Sequence, residues 1–71
     1  MIKVRVGVFI IGKARGMMAA RQMAAMHVMG LVMNEQLASG QSIDVEFRCD
    51  GQVIERSEMI GPDLDGGLLV L

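Results

Sequence analysis

The chain has 71 residues, a net charge of −1, one cysteine and one histidine, and it contains neither tryptophan nor tyrosine. This length allows one domain, the single Cys49 excludes a disulfide framework, and one Cys with one His argues against a zinc site. Because 52% of the residues are hydrophobic, intrinsic disorder is excluded, and the apolar surface exceeds what so small a monomer can bury.

The first predicted element is a strand over residues 2–11. β-branched side chains alternate with other residues from Ile2 to Ile10, which is the period of a strand with one buried face. The stretch from Gly12 to Gly16 then predicts a turn.

A long helix is predicted over residues 14–38, because good helix formers dominate this stretch and no proline interrupts it. Gly40 is expected to close the helix at its C-terminal end. Small and β-branched side chains recur at helical spacing and predict a ridge that packs on the first strand. The ridge consists of Gly16, Ala20, Ala24, Val28 and Val32.

A hairpin is predicted over residues 42–60, with Asp50-Gly51 as its two-residue turn. Residues 61–71 are predicted to be a loop and an apolar tail. The predicted fold is therefore α+β, of β-α-β-β order, with one helix on an antiparallel sheet of strand order 1-3-2. The sheet has three strands, or four if the tail adds one.

A second apolar stripe lies nearly opposite the small ridge and contains Met18, Met26, Met29 and Met33. A helix that is apolar on two sides is buried on both, so this stripe predicts an interface. The interface could be the core of a homo-oligomer, a surface for a different protein, or a site for an apolar ligand. The apolar tail, residues Leu68, Leu69, Val70 and Leu71, is expected to pair with the edge of a neighbouring subunit, so its deletion should weaken assembly.

Charge is divided unevenly along the chain. Residues 1–36 contain five basic residues and one acidic residue, whereas residues 37–71 contain two basic and seven acidic residues. Lys3 and Arg5 are expected to pair across strands with acids of the hairpin. The start of the predicted helix has no capping side chain and carries cations, so it could bind a phosphate, or an acidic side chain of the same protein or of a partner. The residues of this candidate anion site are Gly12, Lys13, Arg15, Gly16 and Arg21.

No combination of side chains predicts catalysis. His27 and Cys49 have no identifiable catalytic partner and are interpreted as an interface histidine and a buried thiol. The sequence therefore predicts a non-enzymatic, homo-oligomeric interaction module that binds a larger protein as an inhibitor or accessory subunit. The alternative is a protein that binds nucleic acid or a phosphate ligand. We expect no cofactor, no metal and no membrane association, and a cytoplasmic location.

Overall fold

The computed structural model describes residues 1–63, which form four strands and one helix. The elements are β1 (Ile2–Val6), β2 (Phe9–Ala14), α1 (Met17–Met33), β3 (Ser42–Cys49) and β4 (Gln52–Ile60). The strands form one sheet of order β2-β1-β3-β4 in which all neighbours are antiparallel. The predicted α+β class is confirmed, but the predicted order 1-3-2 is wrong. The predicted tail, residues 68–71, lies outside the described residues.

The predicted single strand over residues 2–11 is in fact a hairpin. Val6 pairs with Phe9, and Gly7-Val8 forms the turn between them, with a φ of 59° at Gly7. Glycine at the first central position is what a type II′ turn requires. The alternation of β-branched residues does not reveal this turn, because Val8 continues the pattern through it. As a result, Gly12 and Lys13 lie in β2 rather than in a turn.

The helix is shorter at both ends than the predicted range 14–38. At its C-terminal end, the Gln36 N–H donates to the Leu31 carbonyl (2.8 Å), and the Glu35 N–H donates to the Val32 carbonyl (3.1 Å). These bonds, with Glu35 at a φ of 60°, form a Schellman motif that ends the helix. Gly40 has a positive φ but lies in the following loop, so its predicted role as the helix cap is wrong.

The core lies between α1 and the sheet. Ala20, Ala24 and Val28 of the predicted ridge are buried, and the small side chains let the helix approach the sheet closely. Two residues expected beneath the ridge, Val8 and Ile10, are instead 83% and 60% exposed, because the chain turns at residues 7–8. The other core residues are Ile2, Val4, Val6, Ala14, Leu37, Val45 and Phe47.

Helix α1 has 17 residues, and no helix among residues 1–63 combines the length and apolar character that a membrane span requires. The helix lies mainly over β1 and β2. Within residues 1–63, little of strand β4 is therefore covered by the helix, and most of its side chains are exposed.

Candidate functional site

The sheet face that points away from α1, which we call the outer face, is organised around one buried carboxylate. Glu46 in β3 is only 2% exposed and accepts hydrogen bonds from three arginines. Arg5 of β1 donates to its Oε2 atom at 3.0 Å, and Arg56 of β4 donates to the same atom at 3.1 Å. Arg48 donates to Oε1. We call these four residues the Glu46 cluster, which links three adjacent strands.

The electrostatics of the Glu46 cluster favour the ionised carboxylate. The hydrogen bond from Arg5, followed by that from Arg48, lowers the pKa of Glu46 from 4.5 to about 2, against the opposing effect of desolvation. The same hydrogen bond raises the pKa of Arg5. The positive charges of the three arginines offset the free-energy cost of removing the Glu46 carboxylate from water.

Beside the Glu46 cluster, three cations occupy directly paired positions on neighbouring strands. Lys3 of β1 lies opposite Lys13 of β2 on one side and opposite Arg48 of β3 on the other. We call Lys13, Lys3 and Arg48 the cationic row. Among residues 1–63, neither lysine takes part in an ion pair. Like charges directly opposite each other destabilise a sheet, so the row stores unfavourable repulsion.

A shallow cavity of about 500 Å³ opens over the cationic row. Arg5 also lines it, so four cations face this space together with two carboxylates, those of Glu46 and Asp50. Because three arginines already bind Glu46, an anion in the cavity would interact mainly with the two lysines.

The five residues of the predicted anion site do not come together. Lys13 lies on the outer face, whereas Arg21 of α1 forms an ion pair with Glu55 of β4 at 2.7 Å. That pairing corresponds to the alternative in which an acidic side chain of the same chain satisfies the cation. Arg15 is exposed just before the helix, and Gly16 is its N-cap, with no side-chain hydrogen bond to the cap. The start of the helix is therefore uncapped, as expected.

The predicted methionine stripe lies on the helix side opposite the sheet. Met18, Met26, Met29 and Met33 are 77%, 73%, 45% and 67% exposed. The interface assigned to them remains a prediction, but the stripe is available to a partner. Its four thioether side chains can adapt to varied surfaces.

A second cavity, of about 530 Å³, lies where the Gly7-Val8 turn meets the C-terminal half of α1. Its wall includes Val6, Phe9, Leu31 and the half-buried His27. Among residues 1–63, His27 is the single titratable side chain in this wall, so these residues offer apolar contact rather than a pair of acid and base groups. This cavity was not predicted, because residues 2–11 were expected to form one strand without the Gly7-Val8 turn.

Cys49 differs from its prediction as a buried thiol. It is half-buried, and its Sγ atom lies 3.9 Å from an Asp50 carboxylate oxygen beside the hairpin turn.

These features define an α+β domain with a charged outer face on its antiparallel sheet and exposed methionines on its single helix. No family model, curated protein or solved structure matches the chain. Within residues 1–63, His, Cys, Asp and Glu side chains form no group of three that could hold a metal ion.

Proposed function

We propose that the protein is a small, non-enzymatic interaction module that self-associates and binds a larger protein target. The observation that carries this proposal is the methionine stripe, whose four side chains are 45% to 77% exposed on the solvent side of α1. Water contact of so many adjacent apolar side chains is unfavourable, and a partner that covers them gains their burial energy. As an inhibitor or accessory subunit, the protein would act by occupying a surface of its target.

A site-specific photo-crosslinker at Met26 tests this proposal. We expect crosslinks to a protein partner from Met26, and none from a control position at Ser39, which is exposed in the loop after α1. Met18→Lys should abolish the Met26 crosslinks while circular dichroism shows an unchanged fold. Crosslinks of equal yield from Met26 and Ser39, or none from Met26, would contradict the proposal.

The second candidate function is binding of a phosphate ligand or nucleic acid, and the cationic row favours it. Its two lysines lie directly opposite each other on adjacent strands, about 5 Å apart, so they would contact neighbouring phosphates of an oligophosphate group, and Arg48 continues the row. A bound anion would relieve the repulsion between Lys3 and Lys13, so binding and stability would be coupled. No aromatic side chain lines the cavity, so recognition would involve phosphates rather than stacked bases.

Titration with inorganic tripolyphosphate at low salt tests the second candidate. Lys3→Gln should weaken binding about tenfold, whereas Arg15→Gln should leave it unchanged, because Arg15 lies outside the cavity. If Arg15→Gln weakens binding and Lys3→Gln does not, the anion binds at the uncapped start of the helix instead. Absence of binding by the unmodified protein would exclude both anion sites.

A further inference from the structure

Strand β4 forms one edge of the sheet. Among residues 1–63, no strand pairs with the side of β4 that points away from β3. It is nine residues long, and three of its large apolar side chains, Val53, Ile54 and Ile60, are exposed. A long edge with apolar side chains is a template for pairing with another chain. The residues of β4 indicate which chain would fit.

Symmetry restricts how two copies of β4 can pair. Around a two-fold axis perpendicular to the sheet, the strands run antiparallel and residues directly opposite each other share a face. The axis must therefore lie midway between one residue of β4 and the same residue of the second copy, so that this residue pairs with its own copy. An axis at Glu55, Arg56 or Glu58 would place two like charges opposite each other, which is unfavourable.

An axis at Ser57 avoids this conflict and makes complementary pairs. Arg56 of each copy then lies opposite Glu58 of the other, and Ile54 of each lies opposite Ile60 of the other. All four side chains belong to the outer face. Ser57 and Glu55 lie opposite the inward-facing Val45 and Phe47, so the residues that alternate with them point outward. Ile54 is the extra residue of a β-bulge in β4 and has no partner on β3.

The charges within one copy add a reason for the same Arg56–Glu58 pairing. Asp44 of β3 lies directly opposite Glu58 of β4, and neither carboxylate has an ion-pair partner among the described residues. Two carboxylates that face each other repel, although Asp44 also attracts Arg5 within the same copy. The Ser57-centred pairing would bring Arg56 of the second copy, whose Nε atom donates to Glu46 of its own copy, opposite Glu58 and offset this repulsion.

We propose that β4 pairs with β4 of a second copy of this chain, antiparallel and centred on Ser57, to form a continuous eight-stranded sheet. The proposal does not rest on the methionine stripe, which would stay exposed on the two helices of the dimer. In this arrangement the protein would present two stripes on the same side of the sheet.

A disulfide scan tests the position of the axis. In a Cys49→Ser background, Ser57→Cys places two thiols on the axis with Cα atoms about 4.5–5.5 Å apart, within disulfide range. Mild oxidation should convert this variant to covalent dimer. Val53→Cys in the same background is the control, because position 53 lies far from its own copy in this register. Equal crosslinking of both variants, or none at Ser57→Cys, would overturn the proposal.

A charge variant provides the second test and does not depend on disulfide chemistry. Glu58→Arg removes the repulsion from Asp44 within one copy but places arginine opposite Arg56 of the second copy. We expect a folded protein whose dimer dissociation constant, measured by analytical ultracentrifugation, rises at least about tenfold. An unchanged constant for this variant, with a dimer lost in Met18→Lys, would assign self-association to the methionine stripe. A wild-type protein that remains monomeric would also overturn the proposal.

Discussion

Arg5 and Glu46, on the neighbouring strands β1 and β3, form a two-point contact. The Nη2 and Nε atoms of the guanidinium donate to Oε2 and Oε1 of the carboxylate at 3.0 and 3.5 Å. A second pair of donors, from Arg48 and Arg56, completes the shell around the buried carboxylate. The fold therefore depends on an ionised Glu46 at the centre of the outer face.

This dependence predicts loss of stability in acid. The pKa of Glu46 falls from 4.5 to about 2 in the folded protein, so its stabilising contribution is complete above about pH 4.5. The contribution is lost as pH decreases through about 2. We expect the melting temperature to fall between pH 5 and pH 2, measured by circular dichroism.

Glu46→Gln should lower the melting temperature at pH 7, because three arginines then lose their anionic partner. Its melting temperature should also change less between pH 5 and pH 2 than that of the wild-type protein. Glu55→Gln, which removes the exposed ion pair with Arg21, is the matched control and should have a smaller effect at pH 7. Equal losses from the two substitutions would argue against the central role of Glu46.

Lys3→Gln should stabilise the protein at low ionic strength. Lys3 faces Lys13 and Arg48 directly, so its removal relieves repulsion of about 0.2–1 kcal/mol. The gain should shrink as salt screens the charges, which urea unfolding at two salt concentrations would measure. Arg15→Gln, outside the sheet, should show no such salt-dependent gain. A loss of stability in Lys3→Gln would mean that the lysine has a favourable partner.

Glu35→Gly should stabilise the protein by about 1 kcal/mol. Glu35 ends α1 with a φ of 60°, a left-handed conformation that is unfavourable for residues with a Cβ atom. Glu35→Ala keeps that Cβ atom and should give no such gain. Chemical denaturation of the two variants separates the conformational effect from the loss of the exposed carboxylate, which both share.

The two phenylalanines allow a matched test of the core. Phe47 is fully buried, and Phe47→Ala should cost about 3–5 kcal/mol, a large part of the stability of so small a domain. Phe9 is 69% exposed, so the same substitution there should have little effect on unfolding by urea. Similar losses in the free energy of unfolding for both substitutions would mean that Phe9 makes a contact that the isolated chain does not show.

Local signals in the sequence predicted the second hairpin correctly. Asp50 and Gly51 have φ values of 53° and 80°, as the two central residues of a type I′ turn require. The Gly7-Val8 turn was missed because only one glycine marks it and the second turn residue is β-branched. The C-terminal end of the helix was missed because Glu35, rather than a glycine, adopts the left-handed conformation.

The candidate site depended more heavily on topology. The pairing of Arg5 with an acid of the hairpin follows from sequence alternation, and the structure contains it. The companion expectation for Lys3 was wrong, because the register places Lys3 opposite Arg48 rather than an acid. Recognising the Glu46 cluster and the cationic row required the order β2-β1-β3-β4, which local sequence patterns do not determine.

Positive and negative charges are separated on the outer face, although the whole chain carries a net charge of only −1. The cationic row lies at the end of the sheet near the Asp50-Gly51 turn, and Asp44 and Glu58 lie toward the opposite end. Among the described residues, the outer face therefore carries separated positive and negative charge along its strands. On an ion exchanger, retention would follow the end that faces the resin, so the protein should bind both cation and anion exchangers near neutral pH at low salt.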